Sequence, residues 1–326
     1  MAGRGDSGRL PVSVQTLLIA GCFFLPAASP LFAWLDMLLA VPVFLLLRTG
    51  QDERTALAQL RNGLLLAAGG VLLAGEPALF VFSLAMLPLG WSLHHSASKT
   101  LSPVEAGGAG LAVFSLLWLA FWLLQSVLTG DQPYGNLLAL LDTSLLQLVE
   151  EARRSAELPE EVSQQIVALV ADIRSSGLVA KLLPGLLAGG ALLTVWLNLV
   201  LGSGLLRRFR PDKAVWPEYR CWRLPEPLIW LLIIAVGLSL FGSGWAAQAG
   251  YTLAAVAGLL YFFQGLAIFA HLLHRWHVPT FWRAILYFFV AAQGYGMLLL
   301  AVTGVADTWA DFRKLAQHGQ QADSSS

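Results

Sequence analysis

Few side chains in this sequence could do chemistry, and most of them fall inside apolar stretches. Asp36 is the one acid within a run long and apolar enough to cross a bilayer. It is a candidate for ligand binding or proton coupling, the alternative being an interfacial acid or a partner for a neighbouring helix. Gln125, Asn198, Gln264 and Gln293 are uncharged amides in or near such runs, where hydrogen bonding between helices is their ordinary use. Gln264 stands apart because Gly265 adjoins it and Tyr261 lies a turn away, so backbone could approach closely beside a polar side chain. Asp36, Gln264, Asn198 and Gln293 are therefore the substrate-binding or coupling candidates.

Other reactive residue types lack the spacing that chemistry requires. His271, His274 and His277 recur every third residue and spread over a broad arc, while His94 and His95 point to opposite sides of any helix or strand. Neither group supplies the converging ligands that zinc needs. Cys22 lies in an apolar run and Cys221 in a basic loop, with no disulfide framework between them; both are read as unpaired thiols. No glycine-rich phosphate cradle and no nucleophile elbow occur. The sequence thus predicts no catalytic residue, no metal, no cofactor and no enzyme activity, with a catalytic set assembled from distant helices kept only as a third reading.

The elements that must position these residues are membrane helices. Apolar residues make up 57% of the chain and charged residues only 12%, against about 25% in soluble domains. The formal charge is zero, which argues against nucleic acid, a partner that needs a basic face. Apolar runs predict an all-α, polytopic protein with about nine spans, near residues 12–28, 31–47, 61–74, 78–93, 108–128, 179–206, 228–247, 251–273 and 281–305. Ala27, Ala28 and Ser29 resemble a signal-peptide cleavage region, but the apolar run that follows at once favours a retained first helix. Four regions result: an N-terminal membrane bundle over 1–128, a polar loop over 129–178, a C-terminal bundle over 179–305 and a polar tail over 306–326.

Charge asymmetry sets the expected orientation. Arg207, Arg208, Arg210, Lys213, Arg220 and Arg223 outnumber the acids in one connection, which places it in the cytoplasm. Alternation then puts Arg4, Arg9, Arg48, Arg54, Arg61, Lys99, Arg275 and Arg283 on the same side, and connections without Lys or Arg, including Ala249 and Gly250, on the other. An odd span count leaves the tail outside; a re-entrant last segment would return it inside. The long polar loop reads as two amphipathic helices: one from residue 136 to 155 with Leu138, Leu141, Leu145 and Leu148 along a stripe, the other opening at Pro159, Glu160 and Glu161 and carrying Val162, Ile166, Leu169 and Ile173. It is acidic, and is expected to lie over the bundle or membrane surface, or else to act as a lid or docking element. Trp91, Trp196, Trp230, Trp245 and Trp309 fit interfacial aromatic belts, and Gly294 with Gly296 fits close helix packing.

The C-terminal third carries a motif: Arg223, Leu224, Pro225, Glu226 and Pro227 with Trp230, then Tyr261 through Gln264, Gly265 and Ala267, and finally Gly304, Asp307, Trp309, Asp311, Phe312 and Arg313. It resembles the YybS-like family of uncharacterised bacterial membrane proteins (domain of unknown function 2232), a resemblance that extends loosely over the N-terminal half through Arg61, Asn62 and Gly63. That family is distantly similar to the substrate-binding subunits of energy-coupling-factor transporters. The resemblance implies a location in the bacterial inner membrane, a small-molecule substrate and a separate ATPase module, on fold-level analogy alone. Asp307 and Asp311, one turn apart, would share a face and require a cation, which the spacing of Arg313 does not serve equally; a partner from the basic loop is expected. A membrane scaffold that binds other proteins is the competing expectation.

Overall fold

Capping residues and prolines set where the helices of this chain begin. Ser102 is the clearest case: its Oγ accepts from Glu105 N at 3.3 Å, Glu105 Oε2 accepts from Ser102 N at 2.8 Å, and Pro103 occupies the first helical turn. This reciprocal cap satisfies backbone N–H groups that the start of a helix leaves open. The computed structural model describes residues 12–50, 52–155, 159–310 and 312–313. Among them it has no strand, and thirteen α-helices: α1 (Val12–Ala28), α2 (Ala40–Thr49), α3 (Glu53–Ala74), α4 (Pro77–Ser83), α5 (Met86–Ser98), α6 (Pro103–Thr129), α7 (Pro133–Arg154), α8 (Glu160–Ser175), α9 (Leu178–Phe209), α10 (Leu228–Phe241), α11 (Trp245–Arg275), α12 (Thr280–Ala292) and α13 (Gly294–Ala310).

Five stretches of helix among the described residues are long and apolar enough to cross a membrane, and up to seven if each bent pair counts as one span. The nine-span reading would also need α1 and α10, which are shorter. At 1.5 Å per residue the 14 residues of α10 reach about 21 Å, less than a hydrocarbon core of about 30 Å. By the same rise the 32 residues of α9 reach about 48 Å, so its basic end projects beyond such a core.

Three sequence expectations need correction. The run over 31–47 is two pieces, a 3-10 segment (Pro30–Leu38) and α2, bent by 48°. The turn between α10 and α11 lies at Gly242–Gly244 rather than at Ala249 and Gly250. Gly244 adopts φ +56°, which favours glycine, whereas Gly250 sits inside α11 where a Cβ would come within 2.4 Å of Ser239 N on α10. The last run, 281–305, is α12 and α13 bent by 101° around Gln293, whose φ of −104° and ψ of 116° leave the helix. Gly294 and Gly296 therefore follow a bend, and Gly296 packs closely as expected, since a Cβ there would lie 2.8 Å from Val290 O on α12.

α9 joins the two parts of the fold, touching α2 and α6 as well as α11. The N-terminal bundle closes over one apolar core in which Phe23, Phe44, Leu89, Leu93, Val195 and Leu206 are almost fully buried. The loop over 210–227 completes this core with Trp216, stacked 5.7 Å from Phe44 and donating through Nε1 to Leu101 O at 2.8 Å. Arg207 donates to Trp216 O, so the basic loop is fastened to the bundle by backbone as well as by packing.

α7 and α8 form the amphipathic hairpin that the sequence predicts, resting on the end of α9 away from the basic loop. Arg174 clasps Asp142 across the hairpin with two hydrogen bonds of 2.6 and 3.0 Å. The hydrogen bond from that guanidinium holds the Asp142 carboxyl below its ordinary range. Leu138, Leu141 and Leu145 are half-buried, while Leu148 and Leu169, expected on the covered stripes, remain exposed.

Candidate functional site

The C-terminal helices meet the basic loop through a buried polar network. Asp307 on α13 is fully buried, and its Oδ2 lies 2.9 Å from Arg313 Nη2 and 3.2 Å from Gln264 Nε2 on α11. Asp307 Oδ1 accepts from Phe312 N at 3.0 Å. Arg313 Nη1 donates to Arg220 O at 3.0 Å and Trp222 O at 2.7 Å, and Gln264 Oε1 accepts from Leu224 N at 3.1 Å. A carboxylate, a guanidinium, an amide and three loop backbone groups thus answer one another, as buried charge requires.

This corrects the expected pairing. The cation for Asp307 is Arg313 itself, six residues on, and the basic loop contributes backbone groups rather than a side-chain charge. Asp311 lies outside the described residues. Because the end of α13 is bonded to the basic loop, and α12 leaves from the end of α11 on that same side, the bent pair starts and finishes on one side of the bundle.

Glycine lets α13 come this close. A Cβ on Gly265 would lie 1.9 Å from Leu300 O, and one on Gly304 would lie 2.0 Å from Tyr261 O, so the two backbones touch where α11 and α13 cross. Both motif glycines serve this crossing. Arg223 reaches Thr308 O at 3.4 Å and Glu226 at 3.5 Å. Pro225, Trp230 and Trp309 are exposed, the tryptophans as a lipid-facing belt would have them. Trp196 is not a belt residue: it stacks on Phe263 with ring centroids 4.2 Å apart.

Beside this network is a cavity of about 250 Å³, walled by Gly107 and Leu111 of α6, Val195 and Trp196 of α9, and Phe263 and Ala267 of α11. Gln264 forms part of the wall, so the polar network backs directly onto the chamber. A second cavity of about 340 Å³ adjoins it, sharing Pro103, Val104, Trp222, Arg223 and Leu224 and adding Ser102, Cys221 and Glu226. Among the residues of the first cavity only Tyr219 and Arg223 are titratable. The Tyr219 hydroxyl donates to Phe263 O at 2.5 Å, and burial pushes the phenol well above its ordinary value, so it stays a donor.

The acid and three amides singled out from sequence do not converge on one site, although Asp36 and Asn198 meet at the same 3-10 segment. Asp36 accepts from Ser83 Oγ at 2.5 Å, and Asn198 donates to Met37 O at 2.6 Å and Thr194 O at 2.8 Å. These two secure the 3-10 segment against α4 and α9. Gln293 is exposed at the α12–α13 bend. Only Gln264 meets the cavity. Sequence reasoning missed Gly107, Gly108, Trp196, Tyr219 and Trp222; the aromatic residues within a basic, proline-rich loop were the available signal.

The chamber can hold an apolar group, and the annex beside it presents Ser102, Cys221, Arg223 and Glu226 as polar contacts. Comparison with curated proteins and with solved structures returns no match. Residues 16–308 match the pattern of a family described as predicted membrane protein (DUF2232), and over that share of its length the chain belongs to this family.

Proposed function

We propose that this protein captures a small, largely apolar molecule in the chamber between α6, α9, α11 and the basic loop, acting as a transporter or as the substrate-binding membrane subunit of one. The observation that carries the reading is the chamber itself. At about 250 Å³ it exceeds the roughly 150 Å³ of a dry cavity that accepts benzene, and it approaches the lower end of small-molecule pockets. In this reading the protein resides in the inner membrane of a bacterium with the basic loop in the cytoplasm, and a separate ATPase module supplies energy. The resemblance to YybS-like proteins and to energy-coupling-factor subunits points the same way. Enzyme activity forms no part of the proposal.

A scaffold that binds other proteins is the second reading. It draws on the exposed Leu140, Leu148 and Leu169 of the acidic α7–α8 hairpin.

Gly107 provides a clean test, since a Cβ there would meet only Leu199 Cδ2, at an ordinary 3.7 Å. Gly107→Leu should narrow the chamber enough to exclude the molecule while leaving the fold intact. Native mass spectrometry of protein gently extracted from its host membrane should show a bound small molecule on the wild type and none on Gly107→Leu. Copurifying subunits with no small molecule on either protein would move the assignment to the scaffold.

A further inference from the structure

We infer that the captured molecule is a single-chain amphiphile with an anionic head, its apolar part in the chamber and its head beside Arg223. The inference rests on the capture reading and adds the ligand's chemical class and its route. Two adjoining cavities of unequal polarity share one wall. The inner one is lined almost wholly by apolar side chains, and the outer one carries Ser102, Arg223 and Glu226. An amphiphile fits the pair, its apolar part in the inner cavity and its polar end against Ser102, Arg223 and Glu226.

The sign of the head follows from what surrounds the annex. Arg223 lines both cavities and is held by Thr308 O and Glu226. The Glu226 carboxylate is 73% exposed, so an incoming anion can take its place without leaving a buried acid unpaired. The first turn of the 27-residue α6 opens at the same annex through Ser102 and Pro103, but its cap is closed by Ser102 and Glu105, so the positive charge of the annex comes from the guanidinium. Glu105, the acid of that turn, is folded back onto Ser102 N in the cap.

Packing indicates the route. α6 lies against α5 and α9, whereas α10 lies against α11, and the N-terminal turns of α6 and α10 flank the chamber without extensive contact with each other. Trp230, Ile233 and Ile234 of α10 are exposed, as a lipid-facing surface would have them. An amphiphile already in the leaflet on the basic-loop side can slide its chain between these two turns while its head stays at the interface. The chamber is too small for both long chains of a phospholipid, so one chain is the match.

Equilibrium binding to purified full-length protein in zwitterionic phosphatidylcholine nanodiscs tests this, with empty nanodiscs as the blank. The probes are decyl phosphate and decanoate, with decanol and decyltrimethylammonium as neutral and cationic controls. At least one anionic probe should bind saturably and about tenfold or more tighter than either control, the scale expected for a charge-assisted hydrogen bond. Arg223→Gln should remove that preference, Arg223→Lys should keep much of it, and Gly107→Leu should remove saturable binding of every probe. Equal affinity for all four probes, unchanged in Arg223→Gln, would overturn the head assignment and leave the capture reading standing. Binding unaffected by Gly107→Leu, or no saturable binding at all, would overturn both.

Discussion

The two halves of this protein are held together by different physics. The N-terminal bundle closes over an apolar core that runs from Phe23 and Phe44 to Leu89 and Leu206, with polar contacts confined to isolated clamps such as Asp36 with Ser83 and Asn198 with Met37. The C-terminal half joins α11, α13 and the basic loop through a fully buried charge pair, an amide bridge and a crossing where glycine backbones touch. Apolar packing tolerates change of shape when volume is kept; a buried ion pair fails when one partner is lost. The chamber lies between these regimes, walled by α6 and α9 on one side and by α11 with the basic loop on the other. One wall is therefore adaptable and the other is fixed in place by specific bonds.

The largest effect expected from breaking this contrast is at the helix crossing. Gly265→Ala places a methyl group within van der Waals overlap of Leu300 backbone and should cost more than about 4 kcal/mol, the range of severe steric lesions. Size-exclusion chromatography should show no monodisperse protein, whereas Gly108→Ala, which meets nothing within 4 Å, should behave as wild type. A folded Gly265→Ala protein would mean that α13 does not approach α11 as described.

Next comes the buried pair. Arg313→Gln leaves Asp307 without its cation and should cost about 3–5 kcal/mol, read as a fall in melting temperature in mixed micelles. Adding Asp307→Asn should restore part of the loss, because the uncompensated charge is gone. If the double variant is no better than Arg313→Gln alone, the guanidinium matters through its hydrogen bonds to Arg220 O and Trp222 O rather than through Asp307.

A smaller change tests the N-terminal half. Asn198→Ala removes one clamp to the 3-10 segment and should cost about 1–3 kcal/mol, the range for a lost buried hydrogen bond with its desolvation. The same measurement on Arg313→Gln and Asn198→Ala ranks the halves directly, and a larger loss for Asn198→Ala would invert the comparison.

The weakest effect belongs to the surface hairpin. The folded carboxyl of Asp142 is held below its ordinary value by Arg174, so its contribution is complete above about pH 4 and is lost as pH falls through the lowered value. Hydrogen exchange, corrected for intrinsic rates, should show α7 and α8 loosening in acid, and Asp142→Asn should carry that looser state to neutral pH and so abolish the acid dependence. Identical acid profiles for both proteins would remove the pair from any structural role.

Much of the fold was legible because periodicity and caps speak locally. The amphipathic stripes and the Pro159 start marked the hairpin, and apolar runs marked the helices. The bend at Gln293 was legible only as the re-entrant alternative, because hydrophobicity continues across it, and the α10–α11 turn was hidden because Gly250 advertises a turn while serving a close contact. Of the site, Gln264, Gly265, Gly304, Asp307 and Arg313 were visible as a motif, but their bonding was not. The partners of Arg313 are carbonyls of residues 220 and 222, which no side-chain pattern reports. The chamber was illegible for a related reason: Gly107 and Gly108 create space by what they lack.

The most direct test of the central claim is to map where a decyl chain bearing a diazirine attaches when irradiated with the protein in nanodiscs. Adducts concentrated on residues 104–111, 192–199 and 256–267, and lost in Gly107→Leu, are the predicted result. Adducts spread along the lipid-facing Leu116, Leu119, Leu123 and Val127 of α6, unchanged by Gly107→Leu, would contradict it.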